Sequence, residues 1–134
     1  MSFCCADLVE MFSLTDTPIT VIAGHAYLHR EIQWVYLAEA VDNFLDTVPW
    51  TKGGELAIVT GSSIKGDADT ALINYLRRSK KKNIAGLVIN IGKYSDEISP
   101  RVIAVAESCQ IPLMALPWES HLVDFTRQVC TAII

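Results

Sequence analysis

The sequence has no surplus of positive charge. Its 134 residues carry 11 Lys and Arg against 15 Asp and Glu, a net charge of −4, and the isoelectric point is about 5.2. No overall positive field holds a phosphate backbone, so nucleic-acid binding by this chain alone is not expected. No apolar run approaches the roughly 20 residues of a membrane helix, and the basic-then-apolar layout of a secretory signal is missing. The expectation is a cytoplasmic protein with no membrane partner. Cysteine is sparse too: Cys4, Cys5, Cys109 and Cys130 have neither C-x-x-C spacing nor the density of a disulfide scaffold, which points to free thiols in a reducing compartment. The adjacent Cys4 and Cys5 invite a reactive reading. With no cation beside them in sequence, burial as small apolar residues is the plainer one.

The familiar catalytic signatures are also absent. In "LAIVTGSSIKGDADT" (56–70) Gly61 and Gly66 have the separation of a Walker A loop, but Asp67 stands where its lysine would reach the phosphates, and a carboxylate there repels them. No G-x-G-x-x-G dinucleotide fingerprint occurs. A serine nucleophile at Ser62 or Ser63, with His121 and Asp124, lacks the G-x-S-x-G elbow that would present it. His25 and His29 share one face only on a rigid helix, whereas Gly24 and the flanking strands imply a loop, so no metal and no cofactor are expected, even with His121 as a third ligand. Glu39, Asp42, Glu55 and Glu119 read as surface charges, because nothing in the sequence pairs them for acid–base work. No catalytic residue is assigned.

What is present is apolar patterning. Hydrophobic residues make up 51% of the chain, enough for one sizeable core, so one domain is expected over 1–134. Cys5, Leu8, Val9 and Phe12 form the stripe of a short helix that ends before Pro18. "ITVIAG" (19–24) and "IQWVYL" (32–37) read as strands. In the second, Ile32, Trp34 and Tyr36 share one face and Val35 and Leu37 the other. "AEAVDNFLDTVPW" is compatible with a turn or two of helix before the "KGGE" loop.

From Glu55 onward three apolar runs, "ELAIVT" (55–60), "AGLVINI" (85–91) and "IPLMAL" (111–116), alternate with helical segments. This is a βαβαβ pattern, which predicts an α/β fold with a mostly parallel sheet covered by helices. The N-terminal helix precedes it, and the two early strands extend or cap the sheet. The first intervening helix, around 67–81, places Ala68, Leu72, Tyr75 and Leu76 inward and ends in "RRSKKKN", where cations suit the helix dipole and the run reads as a solvated helix end. The second starts with Ser99 as N-cap and Pro100 at its first position, and faces Val102, Ala106 and Cys109 to the core. The last, capped by Ser120, turns Leu122, Phe125, Val129, Ala132 and Ile133 inward. Its apolar pattern runs to the final residue, as in a helix that continues or packs on a partner.

If the sheet is parallel, the loops after its three principal strands, "TGSS", "NIGKY" and "PWES", share one edge, where open α/β sheets place ligands. Trp118 stands just past the last of these strands. The alternative is a plain strand-to-helix turn, with glycines for turning and serines for hydration.

"REIQWVYLAE", "GGELAIVTG", "AGLVINIGKY" and "IPLMALPWE", in this order and at these intervals, resemble the N-terminal domain of the purine catabolism regulator (PucR) family of bacterial transcription regulators. The resemblance spans nearly the whole chain. It implies a non-enzymatic regulatory input domain, with the DNA-binding helix-turn-helix in another part of the regulator and DNA bound only there. The chain departs from the family in reading His29-Arg30-Glu31-Ile32 where Asp-Arg-Pro-Val is common, and Asn90 where a lysine is common; Lys93 lies three residues on, and Thr60-Gly61 is retained. The expected ligand site, for a small polar effector such as a purine-related compound, comprises Thr60, Gly61, Ser62, Ser63, Asn90, Gly92, Lys93, Tyr94, Pro117, Trp118 and Glu119. Thr60, Ser62, Ser63 and Asn90 would hydrogen-bond it, Lys93 supply charge, and Tyr94 or Trp118 stack on a flat ring. Two alternatives remain: a ligand-free module that forms a homodimer or relays a signal through its last helix, and a small enzyme using the same loops.

Overall fold

The computed structural model of the protein describes residues 3–37, 52–60, 67–92, 97–117 and 121–134. Helix α1 (Cys5–Phe12) leads into strand β1 (Thr20–Ala23), then β2 (Trp34–Leu37), β3 (Glu55–Thr60), α2 (Ala68–Ser79), β4 (Gly86–Asn90), α3 (Pro100–Cys109), β5 (Leu113–Ala115) and α4 (Leu122–Ile133). The strands form one five-stranded sheet in the order β1-β5-β4-β3-β2. β2 to β5 run parallel. β1 runs antiparallel to β5, so the sheet is mixed and mostly parallel, as the βαβαβ pattern predicts. The two early strands do extend it, one at each edge.

The uninterrupted apolar runs follow from burial on both faces, since a strand covered on two sides has no place for alternating polar residues. Ala57, Val59, Leu87, Ile89, Leu113 and Ala115 pack under α2 and α3, against Leu72, Tyr75, Leu76, Val102 and Ala106. The intervening positions Leu56, Ile58, Val88 and Met114 face the other way, onto Cys5, Leu8 and Phe12 of α1 and Phe125 and Val129 of α4. Phe12 and Phe125 lock those two helices together with ring centroids 5.1 Å apart. Two faces, two helix pairs and one sheet make a three-layer arrangement.

Local signals set the ends of the elements. Ser99 accepts a hydrogen bond from the Arg101 amide (3.2 Å), with Pro100 at the first position of α3. Asp67 caps α2, accepting from the Asp69 amide (3.3 Å) and the Thr70 hydroxyl (2.7 Å). At the end of β1, Gly24 has a φ of +75°, and a Cβ there would lie 2.6 Å from the Ile111 carbonyl oxygen. Only glycine fits that crossing.

Three expectations change. Ile32 precedes β2 and packs with Val35 in the α1/α4 layer, while Tyr36 contacts the α2/α3 layer; the alternation expected over 32–37 starts only where sheet pairing starts, at Trp34. Trp34 itself is exposed. On α4, the stripe Leu122, Phe125, Val129 and Ile133 faces inward but Ala132 is exposed, because three residues on from Val129 it sits on the flank of that stripe, about 60° round the helix from Val129. The N-cap of α4 is His121, without a side-chain capping bond; Ser120 lies outside the described residues, as do Glu39, Asp42 and the helical turn expected within 38–51.

Candidate functional site

The rightward progression β3, β4, β5 sends its crossover helices α2 and α3 to one face, as right-handed connections require. Helix α4, leaving β5, crosses to the opposite face, as its place in the second core cluster shows. The chain therefore diverges between two neighbouring parallel strands, β4 and β5. At such a point the two exiting segments part and leave a crevice beyond the carboxyl ends of the strands.

Asn90 and Pro117 occupy this divergence. Thr60, the last residue of β3, pairs in register with Asn90, the last of β4. The Asn90 side-chain amide donates to the Pro117 carbonyl at 3.1 Å, spanning the gap between the segments leaving β4 and β5. Asn90 is half-buried and Thr60 buried. Gly92, two residues past β4, is exposed with a φ of +48°, a left-handed turn that glycine takes without steric cost. Of the residues expected at the site, Thr60, Asn90, Gly92 and Pro117 thus cluster at one rim. Gly61, Ser62, Ser63, Lys93, Tyr94, Trp118 and Glu119 lie outside the described residues.

The same rim receives residues that local patterning did not single out. β2 also points its carboxyl end this way, and antiparallel β1 begins here, with Thr20 beside Ala115. On the α4 side, Leu37, Leu122, Val123, Thr126 and Arg127 line a groove of about 400 Å³. Its walls are mainly apolar, with one guanidinium. Sequence periodicity locates Arg127 on the polar side of α4 but carries no information about the neighbouring strand end.

Other expected groups have structural tasks. Asp67, in the place of a Walker lysine, is the α2 cap, and the Thr70 hydroxyl on it holds its carboxyl below the usual range. Glu55 accepts the Lys52 and Gly53 amides, each at 2.6 Å, and so ties down the loop before β3. His25 opens a 3-10 turn after Gly24. Among the described residues no group of three or more His, Cys, Asp or Glu is placed to hold a metal ion, and no helix is long and apolar enough to cross a membrane.

The Cys4/Cys5 pair divides. Cys5 is fully buried, donates to the Ala85 carbonyl (3.3 Å), and is pushed up to about 12 by burial and the adjacent Cys4, against a smaller opposing effect of Arg30. Such a thiol is a core residue and no nucleophile. Cys4 is half-buried and donates to the Asp7 carboxylate (3.3 Å).

Comparison with known proteins shows the family. A model of the "Purine catabolism regulatory protein-like family" matches residues 7–133. The purine catabolism regulatory protein of Bacillus subtilis (strain 168) is 30% identical over 114 residues, which cover 85% of this chain and 20% of that protein. The chain thus corresponds to about a fifth of the length of this relative.

Proposed function

The chain belongs to the purine catabolism regulatory protein-like family, and from that premise we propose that it is the non-enzymatic sensory domain of a cytoplasmic transcription regulator. It binds a small polar metabolite, such as a purine-related compound, in the crevice between the segments leaving β4 and β5. The observation that carries this reading is the Asn90 bridge to Pro117 at the point where the flanking helices part. A side-chain amide held by one N–H keeps its second N–H and its oxygen for a ligand. A ligand that engages them changes the spacing of the two segments, and with it the seat of α4. That gives a binding event a mechanical output.

A thermal-shift screen of purine metabolites on this chain tests the reading. A ligand at 100 times its dissociation constant stabilises the fold by about 2.7 kcal/mol. Asn90→Ala removes that shift while leaving the unliganded protein folded, at a cost of about 1 kcal/mol for the lost bond. A screen with no shift, or a shift that survives Asn90→Ala, refutes the site.

The second reading is a homodimer or signal-relay module without a ligand. The groove beside Leu37 supports it, since Leu37 (42% exposed) and Val123 (71%) present apolar surface at its walls. Ile134 is 94% exposed, and Ile133 is partly covered by the core, so this surface centres on β2 and α4 and less on the helix terminus. Sedimentation over a wide concentration range separates the readings: a Val123→Glu variant that stays monomeric where the parent chain dimerises supports the module, and a parent that is monomeric throughout rejects it.

A further inference from the structure

Five of the chain's 11 Lys and Arg residues fall within six consecutive positions, 77–82. They close α2 and continue through a 3-10 turn, Lys80–Lys82. Arg77, Arg78, Lys80 and Lys81 are exposed and Lys82 half-exposed; among the described residues, none of the five is paired with a carboxylate. The helix dipole does not account for them, because its negative end is equivalent to only about half a charge, and further cations add mutual repulsion. The cluster is held in place. Asn83 ends it in a left-handed conformation (φ +54°), and its carbonyl accepts the Gly54 amide at 2.9 Å. That contact brings Lys52 to the same pole, and Arg30 reaches it by donating to the Ile84 carbonyl at 3.2 Å. The nearby carboxylates are engaged: Glu55 by the Lys52 and Gly53 amides and Glu31 by Gln33. This basic pole is at the amino-terminal end of β4, the opposite end of the sheet from Asn90.

We propose that the pole formed by Arg77, Arg78 and Lys80–Lys82 is a docking surface for the phosphate backbone of duplex DNA. Its composition favours DNA over an acidic protein surface. Lysines are depleted from protein–protein contacts, the cluster contains no exposed apolar anchor, and hydrated ammonium groups suit sequence-independent phosphate contact. The inference rests on the chain acting within a DNA-bound regulator, where tethering by the rest of the protein raises the effective concentration of a weak contact. It goes beyond the expectation, drawn from net charge, that this chain alone does not bind nucleic acid: the charges are segregated, and a sum hides that.

The test is the anisotropy of a labelled duplex of about 20 base pairs and arbitrary sequence, titrated with this chain between about 50 and 200 mM salt. About four phosphate contacts predict a roughly 100-fold loss of affinity across that range. A Lys80→Gln/Lys81→Gln/Lys82→Gln variant, verified as folded by circular dichroism, loses most of that salt dependence. An independent Arg77→Gln/Arg78→Gln variant loses part of it. Asn90→Ala binds the duplex as the parent does, which separates this surface from the sensing crevice. No salt-dependent binding at 50 mM, unchanged binding by both charge variants, or equally tight binding of a poly-glutamate peptide overturns the proposal.

Discussion

Cys5 shows how far a single residue's chemistry depends on what covers it. Its thiol titrates near 12 in the fold against 9.0 ordinarily, so below pH 9 both folded and unfolded chains keep the proton and no pH dependence arises. Between these values the unfolded chain releases a proton that the folded one retains, and stability falls as pH rises. The melting temperature is therefore expected to drop more steeply above pH 9 in the parent chain than in Cys5→Ala; parallel curves would contradict the burial of this thiol. Under native conditions iodoacetamide is expected to modify the half-buried Cys4 and leave the buried Cys5 intact, a pattern that peptide mass spectrometry reads directly. Ser79 is the converse case, a fully buried residue whose hydroxyl has no hydrogen-bond partner among the described residues. Burying such a group costs about 1–3 kcal/mol. Ser79→Ala is expected to raise the urea midpoint by the equivalent of about 1 kcal/mol, and a lower midpoint would reveal a hidden partner.

At the scale of elements, the strongest local signals lay where the chain must satisfy its own backbone. Ser99 and Pro100 mark the start of α3 in the sequence because the first amides of a helix need an acceptor and the first position needs no donor. Ser99→Ala is expected to destabilise the fold by about 1 kcal/mol, measured by chemical denaturation; an unchanged midpoint would mean that the Arg101 amide finds another acceptor. Asp67 was legible only in the negative, as a residue wrong for a phosphate loop. Its positive role, capping α2, needed the geometry of the Thr70 contact. Its carboxyl is held below the usual range, so the cap is intact above the ordinary carboxylate pKa and is lost as pH falls through the lowered folded value.

For the whole molecule, burial of the sheet on both faces sets the order in which its parts open. β3 and β4 are paired on both sides, whereas β1 and β2 are edge strands. Amide exchange is expected to be slowest at Leu56–Val59 and Leu87–Ile89, and much faster in β1 and β2; comparable protection at Trp34–Leu37 would show that β2 is covered by a partner, in favour of the dimeric reading. The charge distribution belongs to the same scale, with the basic pole at the amino-terminal end of β4 and the Asn90–Pro117 rim at its carboxyl end. On the two proposals made above, DNA and effector would meet opposite ends of the sheet.

The order of apolar runs, their lengths and their caps were sufficient to determine an α/β sheet with parallel principal strands, because hydrophobic periodicity and backbone capping are local properties written in neighbouring residues. The rim shared by Thr60, Asn90 and Pro117 was also foreseeable, since parallel strands bring their carboxyl ends together. Tertiary structure alone decided that α4 crosses to the opposite face from α2 and α3, that β1 and β2 part to opposite edges, and that Arg30 and Lys52 join the cations of α2. Those outcomes depend on contacts between segments tens of residues apart, where the free energy of packing both faces of one sheet selects among arrangements that local sequence leaves equal.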